Sequence, residues 1–223
     1  MDKQKFIKEN LFVFICAAIT FAGVLSTAVI FKQDPVKTLP LFISLFVMFL
    51  NSRVSRYAFL VGGLNSILYA LSGIKMGLYA HAVYCVLFSF PLQIITFINW
   101  KRKTSGGITH LRKMSTKMRL IVLLAFLVIW PIVYFVISSI PDANQSILDV
   151  TGTLLGILVT FLTMLRYSEY APLNIVSAVI SLATYIMVSV GDISNFPYVI
   201  YTLYCLVCIT ASMIRMKKEN MVK

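Results

Sequence analysis

KRKTSGGITHLRKMSTKMR, residues 101–119, decides how the rest of the chain is read. It is the one long polar stretch. It holds Lys101, Arg102, Lys103, Arg112, Lys113, Lys117 and Arg119, seven of the chain's 20 Lys and Arg residues. On either side the sequence is almost wholly apolar. Hydrophobic residues fill 59% of the 223 positions and charged ones 13%. A folded surface in water does not tolerate that balance, whereas lipid tails accept it and drive charge to the aqueous rims. The chain therefore reads as a polytopic membrane protein with a basic cytoplasmic loop at its middle.

A helix needs ~20 apolar residues to cross ~30 Å of hydrocarbon at ~1.5 Å per residue. Working outward from the loop, the runs 78–98, 57–73, 39–51 and 11–31 precede it, and 120–140, 147–165, 170–190 and 196–214 follow it. That predicts eight transmembrane helices, the second short and so tilted or half-buried. The runs are continuous and do not alternate, which argues against a β-barrel. The first run has Lys before it, as signal peptides do. It is too long and lacks a small-x-small cleavage site, so it reads as a retained helix. Little chain remains for a soluble domain.

Orientation follows from the basic residues. If connections alternate sides, one side collects Lys3, Lys5, Lys8, Arg53, Arg56, the seven of the loop, Arg166, Arg215, Lys217, Lys218 and Lys223, against Lys32, Lys37 and Lys75 on the other. Basic loops stay cytoplasmic, so both termini are expected inside. The net charge of +12 is spread over these loops, and topology accounts for it without a nucleic acid partner. The cysteines Cys16, Cys85, Cys205 and Cys208 all lie in apolar runs and read as small fillers, the Cys205-x-x-Cys208 pair included.

Displaced by about 113 residues, the chain repeats its own helix pattern. Helices one to four fall on five to eight, Arg53 on Arg166, Ser55 on Ser168 and, with one insertion, Tyr84 on Tyr198. Four is an even number of crossings, so the halves point the same way. That is a parallel repeat, with a transport path expected between its halves near the midplane.

Polar residues inside the spans fall in stripes. The third helix carries Asn65, Tyr69 and Ser72 on one face; the seventh carries Asn174, Ser177, Ser181 and Thr184. The fourth adds His81, Tyr84, Gln93 and Thr96 around Pro91, and the eighth adds Tyr198, Tyr201 and Tyr204. Such groups either line a neutral pocket or bridge helices as interhelical glue. Ser181 and Thr184 read as glue. For Asn65, Asn174 and the tyrosines both readings stay open. Gly152 and Gly156 form a GxxxG and read as close helix packing.

No Asp, Glu, Lys or Arg falls near the middle of a span. Asp142, Asp149 and Asp192 lie at outer ends and Glu169 at an inner one. Ion-driven transport needs a titratable group at depth. There is no phosphate-binding GxxxxGK[ST], no HExxH and no GxSxG. No enzyme, cofactor or metal site is expected, and a membrane-embedded lipid enzyme would need paired acids or an interfacial His. A path without an engine means facilitated diffusion.

Two stretches carry a family resemblance. One is Gly63-Leu64-Asn65-Ser66-Ile67-Leu68-Tyr69, followed by Gly77-Leu78-Tyr79-Ala80, Pro91-Leu92-Gln93 and Phe97-Ile98-Asn99-Trp100-Lys101. The other is Leu165-Arg166-Tyr167-Ser168-Glu169. With the size and the halves, the chain from about Leu39 onward resembles the PnuC family of vitamin and nucleoside transporters. The resemblance implies a SWEET-like all-α fold. Two parallel three-helix bundles (39–98 and 147–215) would flank a basic loop (99–119) and a linker helix (120–140), with an extra N-terminal helix at 11–38. It implies facilitated uptake of nicotinamide riboside, thiamine, riboflavin or deoxyribonucleosides, trapped by a cytoplasmic kinase, in a bacterial plasma membrane. In the nicotinamide riboside branch a W-x-x-W-x-x-x-N pattern enters the seventh helix. Here those positions read Ala171, Asn174 and Ala178, and Ser212-Met213-Ile214-Arg215 replaces the family's closing Trp. Trp rings attract a cationic pyridinium, whereas Asn offers a donor and an acceptor to a base edge.

The expectation is a facilitator for a nucleoside-type solute: a nucleoside, deoxynucleoside or nicotinamide riboside. Asn65, Tyr69, Gln93, Asn174 and Ser177 are the hydrogen-bonding candidates. Tyr84, Phe88, Tyr198 and Tyr201 are the stacking or gating ones. Arg53, Arg56, Arg166 and Glu169 are inner-gate candidates, with helix anchoring as the alternative. A carrier for thiamine or another B vitamin is the alternative cargo reading. A receptor or assembly subunit is the alternative class, and homo-oligomerisation is left open.

Overall fold

The computed structural model describes residues 3–102, 104–105, 108–141, 143 and 146–218. Lys103, Asp142 and Lys223, counted above, lie outside the described residues. Among the described residues, eight helical spans are long and apolar enough to cross a membrane. They are built from α1 (Lys3–Ile30), α2 (Pro35–Ser52), α3 (Tyr57–Lys75), α4 (Tyr79–Tyr84) running through a π turn (Cys85–Ser89) into α5 (Phe90–Arg102), α6 (Thr116–Ser138), α7 (Ser146–Met164), α8 (Tyr170–Gly191) and α9 (Phe196–Lys218). In the basic loop the strand pair Thr104–Ser105 with Ile108–Thr109 forms a short antiparallel ladder, and Arg112 bridges to Tyr167.

The second span is longer than its apolar run, and the short-helix expectation is corrected. Asp34 accepts the Val36 N–H at 2.8 Å and Pro35 opens the helix, so α2 starts one turn earlier than hydropathy suggests. Lys37 and Thr38 occupy that turn. Further in, Pro40 has no N–H to give the Val36 carbonyl. The Ser72 hydroxyl of α3 supplies the missing donor at 2.7 Å.

Six spans form a ring. α2 packs on α3, α3 on α4 and α5, these on α7, α7 on α8, α8 on α9, and α9 back on α2. α1 lies outside the α2–α9 seam and α6 lies outside against α7, with Trp130, Val133 and Ile137 of α6 clustered with Ala80 of α4 and Val150 of α7. The two outer helices thus occupy matching places around the ring. Apolar side chains such as Leu127, Phe135, Leu71 and Val179 face outward, as lipid contact requires.

The turns between the first two helices of each trio repeat two backbone bonds. Val54 N–H to Asn51 O (2.8 Å) recurs as Arg166 N–H to Thr163 O (3.0 Å), and Ser55 N–H to Leu50 O (3.1 Å) recurs as Tyr167 N–H to Leu162 O (2.9 Å). Val54 and Arg166 both take the left-handed conformation, at φ 54° and 61°. The displacement here is 112 residues, 54 to 166. The identities Arg53/Arg166 and Ser55/Ser168 therefore sit one residue out of structural step.

The two ends of the ring carry different charge. One gathers Asp34 paired with Lys75, and Lys37 at 3.5 Å from Asp192 and 3.1 Å from Asn195. The other gathers Arg53, Arg56, the basic loop, Arg166 and Arg215. The α2, α4 and α7 starts share the first end, so both trios point the same way.

Candidate functional site

The ring encloses two adjoining cavities of about 280 and 240 Å³. They share Asn51, His81, Tyr84, Gln93, Asn174 and Ser177 as walls. The larger leans on α2, α3 and α9, against Ser44, Asn65, Tyr69 and Tyr201. The smaller leans on α7, against Asp149, Gly156 and Thr160. Among the described residues, no Lys or Arg lines either cavity.

On the α3 wall, Asn65 donates to Pro40 O at 2.9 Å and to Ser44 Oγ at 2.7 Å. Its Oδ1, and the Tyr69 hydroxyl one turn further along, are buried without a hydrogen-bond partner. Gln93 Nε2 donates to Ser89 Oγ at 2.7 Å, and Ser89 and Ser66 hydroxyls lie 2.7 Å apart. Gly62 makes room for this amide, since a Cβ there would come within 2.5 Å of Gln93 Oε1. On the α8 wall, Asn174, Ser177 and Ser181 face the cavities and bond to no other described residue. Ser181, read from sequence as glue, is a wall residue. Thr184 donates to Ile180 O of its own helix at 2.9 Å and also lines the smaller cavity.

Tyr84 crosses the seam from α4 to α7. Its hydroxyl lies 2.8 Å from Thr160 Oγ1, and its ring rests where a Cβ on Gly156 would meet it at 3.2 Å. The second Gly of the GxxxG thus admits an aromatic ring between trios. Asp149 crosses the same seam, accepting the Ala80 and His81 N–H groups at 3.0 and 3.1 Å. It lies in the first turn of α7, at the end of the ring opposite the basic loop, yet is only 4% exposed, because the first turn of α4 needs acceptors.

Two aromatic candidates are corrected. Phe88 is 38% exposed and lines neither cavity. The π turn carries Val86, Leu87 and Phe88 to the lipid side and leaves Cys85 and Ser89 inward. Tyr198 stands one layer behind the wall, its hydroxyl bonded to Lys37 O at 2.6 Å and its ring 5.0 Å from that of Tyr185. Tyr185 itself lines both cavities. It continues the α8 stripe at four residues beyond Ser181, a spacing that was available in the sequence. Asn51, at the end of the second run, gave no such signal.

The four inner-gate candidates also stand away from both cavities. Arg56 lies over Tyr57 and Phe97, at 5.1 and 5.8 Å from the ring centres. Arg166 donates to His110 O at 3.3 Å, and Glu169 accepts from Met114 N at 3.0 Å and Arg119 at 2.6 Å. Arg112 exchanges backbone bonds with Arg166 and Ser168 at 2.9 and 3.0 Å, its guanidinium over the Tyr167 ring. Arg166 and Glu169 thus fasten the basic loop to the α7–α8 corner. Partial burial pushes the Glu169 carboxyl up, but the Met114 N–H and the Arg119 guanidinium outweigh it, so the group sits below the usual carboxylate range.

Among the described residues no cluster of three or more His, Cys, Asp or Glu is placed to hold a metal ion. A family model described as nicotinamide mononucleotide transporter matches residues 34–214. A solved crystal structure of the vitamin B3 transporter PnuC is similar in fold, with TM-score 0.69 and 16% identity over 93% of this chain and 92% of that one. No curated protein matches.

Proposed function

The chain belongs to the nicotinamide mononucleotide transporter family, and from that premise we propose that it lets an unphosphorylated nucleoside-type solute diffuse down its gradient. It is a multi-pass membrane transporter of that family and not an enzyme. The observation that carries this reading is the hydrogen-bonding void between two like-oriented trios, whose larger lobe is lined by no charged side chain among the described residues and has Asn65 Oδ1 and Tyr69 OH unpartnered at its wall. Its two lobes fall near the lower end of the ~300–1,000 Å³ of small-molecule sites. A phosphate needs cationic or multiple N–H partners, and among the described residues no Lys or Arg lines the cavities. Tyr84, Tyr185 and Tyr201 offer rings to a heterocycle. Asn65, Gln93, Asn174 and Ser177 offer polar atoms to its edge and sugar.

Both termini lie on the cytoplasmic side of a bacterial plasma membrane in this reading, which follows the basic loops. A cytoplasmic kinase would trap the solute and so supply direction. A second reading is a carrier for thiamine or another B vitamin. One observation favours it: the buried Asp149 carboxylate is on the wall of the smaller cavity, where a cationic ring would profit.

A thermal-stability panel of nucleosides, deoxynucleosides, nicotinamide riboside, nicotinamide mononucleotide and thiamine tests both. A binder raises the melting temperature with its concentration. The proposal expects a shift with a nucleoside-type member and none with the mononucleotide. A shift with the mononucleotide alone would overturn it, and a shift with thiamine alone would establish the second reading.

A further inference from the structure

We propose that Asn65 is a fixed hydrogen-bond acceptor that selects solutes carrying an N–H donor on the ring edge, and that Ser44 is the residue that fixes it. The inference rests on reading the cavity as a solute site, and it names which solutes fit.

A primary amide has two N–H donors and one carbonyl acceptor. Asn65 spends both donors inside the protein, on Pro40 O and on Ser44 Oγ. Pro40 O is a carbonyl and can only accept. Turning the amide over would set oxygen against oxygen, so the orientation is determined by chemistry. Pro40 and Ser44 lie four apart on α2, hence on one face, and both buried, at the place where α3 brings Asn65. What is left for the cavity is Oδ1 alone. Asn65 is 3% exposed, and this atom has no partner.

A buried acceptor without a donor is costly, and a ligand N–H removes that cost, whereas a ligand acceptor placed there adds to it. The neighbouring amide does not blur the choice. Gln93 donates to Ser89, and its Oε1, beside Gly62, is an acceptor like Asn65 Oδ1. Carried across by the 112-residue displacement, Pro40, Ser44 and Asn65 become Gly152, Gly156 and Ser177, which build no such clamp. The acceptor is therefore a property of one wall only. Its complement is a carboxamide or an exocyclic amine on the solute's ring.

Two matched pairs of probes test this on the purified full chain: adenosine against purine riboside, which lacks the amine, and nicotinamide riboside against nicotinic acid riboside. Dissociation constants are read from the concentration dependence of thermal stabilisation. Wild type is expected to prefer the donor-bearing member of at least one pair by about 10- to 100-fold. Asn65→Leu is expected to bring that ratio to about one. Ser44→Ala returns one N–H to the cavity side. It is expected to lower the ratio roughly tenfold, chiefly by tighter binding of the donor-lacking member, which lost packing alone would not produce. Equal affinity for both members of each pair in wild type, or a ratio unchanged in both variants, overturns the acceptor role and leaves the solute reading standing. If no member of either pair stabilises wild type, both fall together.

Discussion

In the first trio, α2, α3 and α4–α5, Pro40 and Ser44 hold Asn65, Ser72 covers the carbonyl that Pro40 leaves open, and Ser66, Ser89 and Gln93 run in one hydrogen-bonded chain. In the second trio, α7, α8 and α9, the corresponding places hold Gly152, Gly156, Ser177 and Thr184. Thr184 bonds back to its own helix and Ser177 to no described residue. The same backbone arrangement has thus been given one wall whose polar groups are set in advance and one whose polar groups await a partner. A preorganised wall supplies selectivity, because its geometry costs nothing more on binding. An uncommitted wall of Ser, Asn and Gly accommodates a moving solute and a passing ring. Stability and transport are therefore expected to separate between the trios.

The largest effects come from breaking each wall in turn. Asn65→Leu removes two buried hydrogen bonds and is expected to cost roughly 1–3 kcal/mol of stability. Asn174→Leu removes none and is expected to leave the melting temperature nearly unchanged while still depressing uptake. Thermal unfolding of the two variants side by side checks this. Equal losses of stability would erase the contrast between the walls.

Next in size is the point where the trios touch. A Cβ on Gly156 would meet the Tyr84 ring at 3.2 Å, while one on Gly152 would meet only Ile180 at 3.6 Å. Gly156→Val is expected to displace Tyr84, break its 2.8 Å contact with Thr160 and cut uptake about tenfold or more, from ~1.4 kcal/mol of lost fit. Gly152→Ala is expected to transport normally. Comparable uptake by both variants would remove Tyr84 from the path.

Smaller still are the ties at the two ends. Glu169→Gln loses the Arg119 pair, half of it exposed, and is expected to cost under ~1 kcal/mol at neutral pH. The sign with pH is fixed. The folded carboxyl titrates below the ordinary value of 4.5, so its contribution is present above that pH and fades as pH falls through the lowered value. Wild type and variant are expected to converge on acidification below about pH 4.5, and parallel melting curves across that window would contradict the tie. Lys37→Met, at the partly exposed pair with Asp192 on the end opposite the basic loop, is expected to change stability by only a few tenths of a kcal/mol.

Much of this was legible in the chain. Length and hydropathy gave eight spans, and the charge pattern separated the two ends. The 3.6-residue period places Asn174 and Ser177 on one face of α8, and that face lines the cavities; Ser181 on the same face reads as glue from sequence yet lines them too. What failed did so for local reasons. Hydropathy cannot see a cap, so the Asp34–Pro35 start of α2 lies a turn before the apolar run begins. Helical periodicity assumes 3.6 residues per turn, and the π turn at Cys85–Ser89 swung Phe88 outward. A charge near a helix end reads as solvated, yet Asp149 is buried because it serves the N–H groups of another helix. Arg166 and Glu169 look like a pair at three residues apart, but the basic loop, distant in sequence, takes both. Contacts between distant segments leave no local trace.

Uptake of a labelled nucleoside-type solute into vesicles holding only this protein, with no gradient of protons or sodium, tests passive passage between the trios most directly. The account predicts entry that stops when inside and outside concentrations are equal, and no further rise when either ion gradient is imposed. Accumulation above the outside concentration under such a gradient would contradict it.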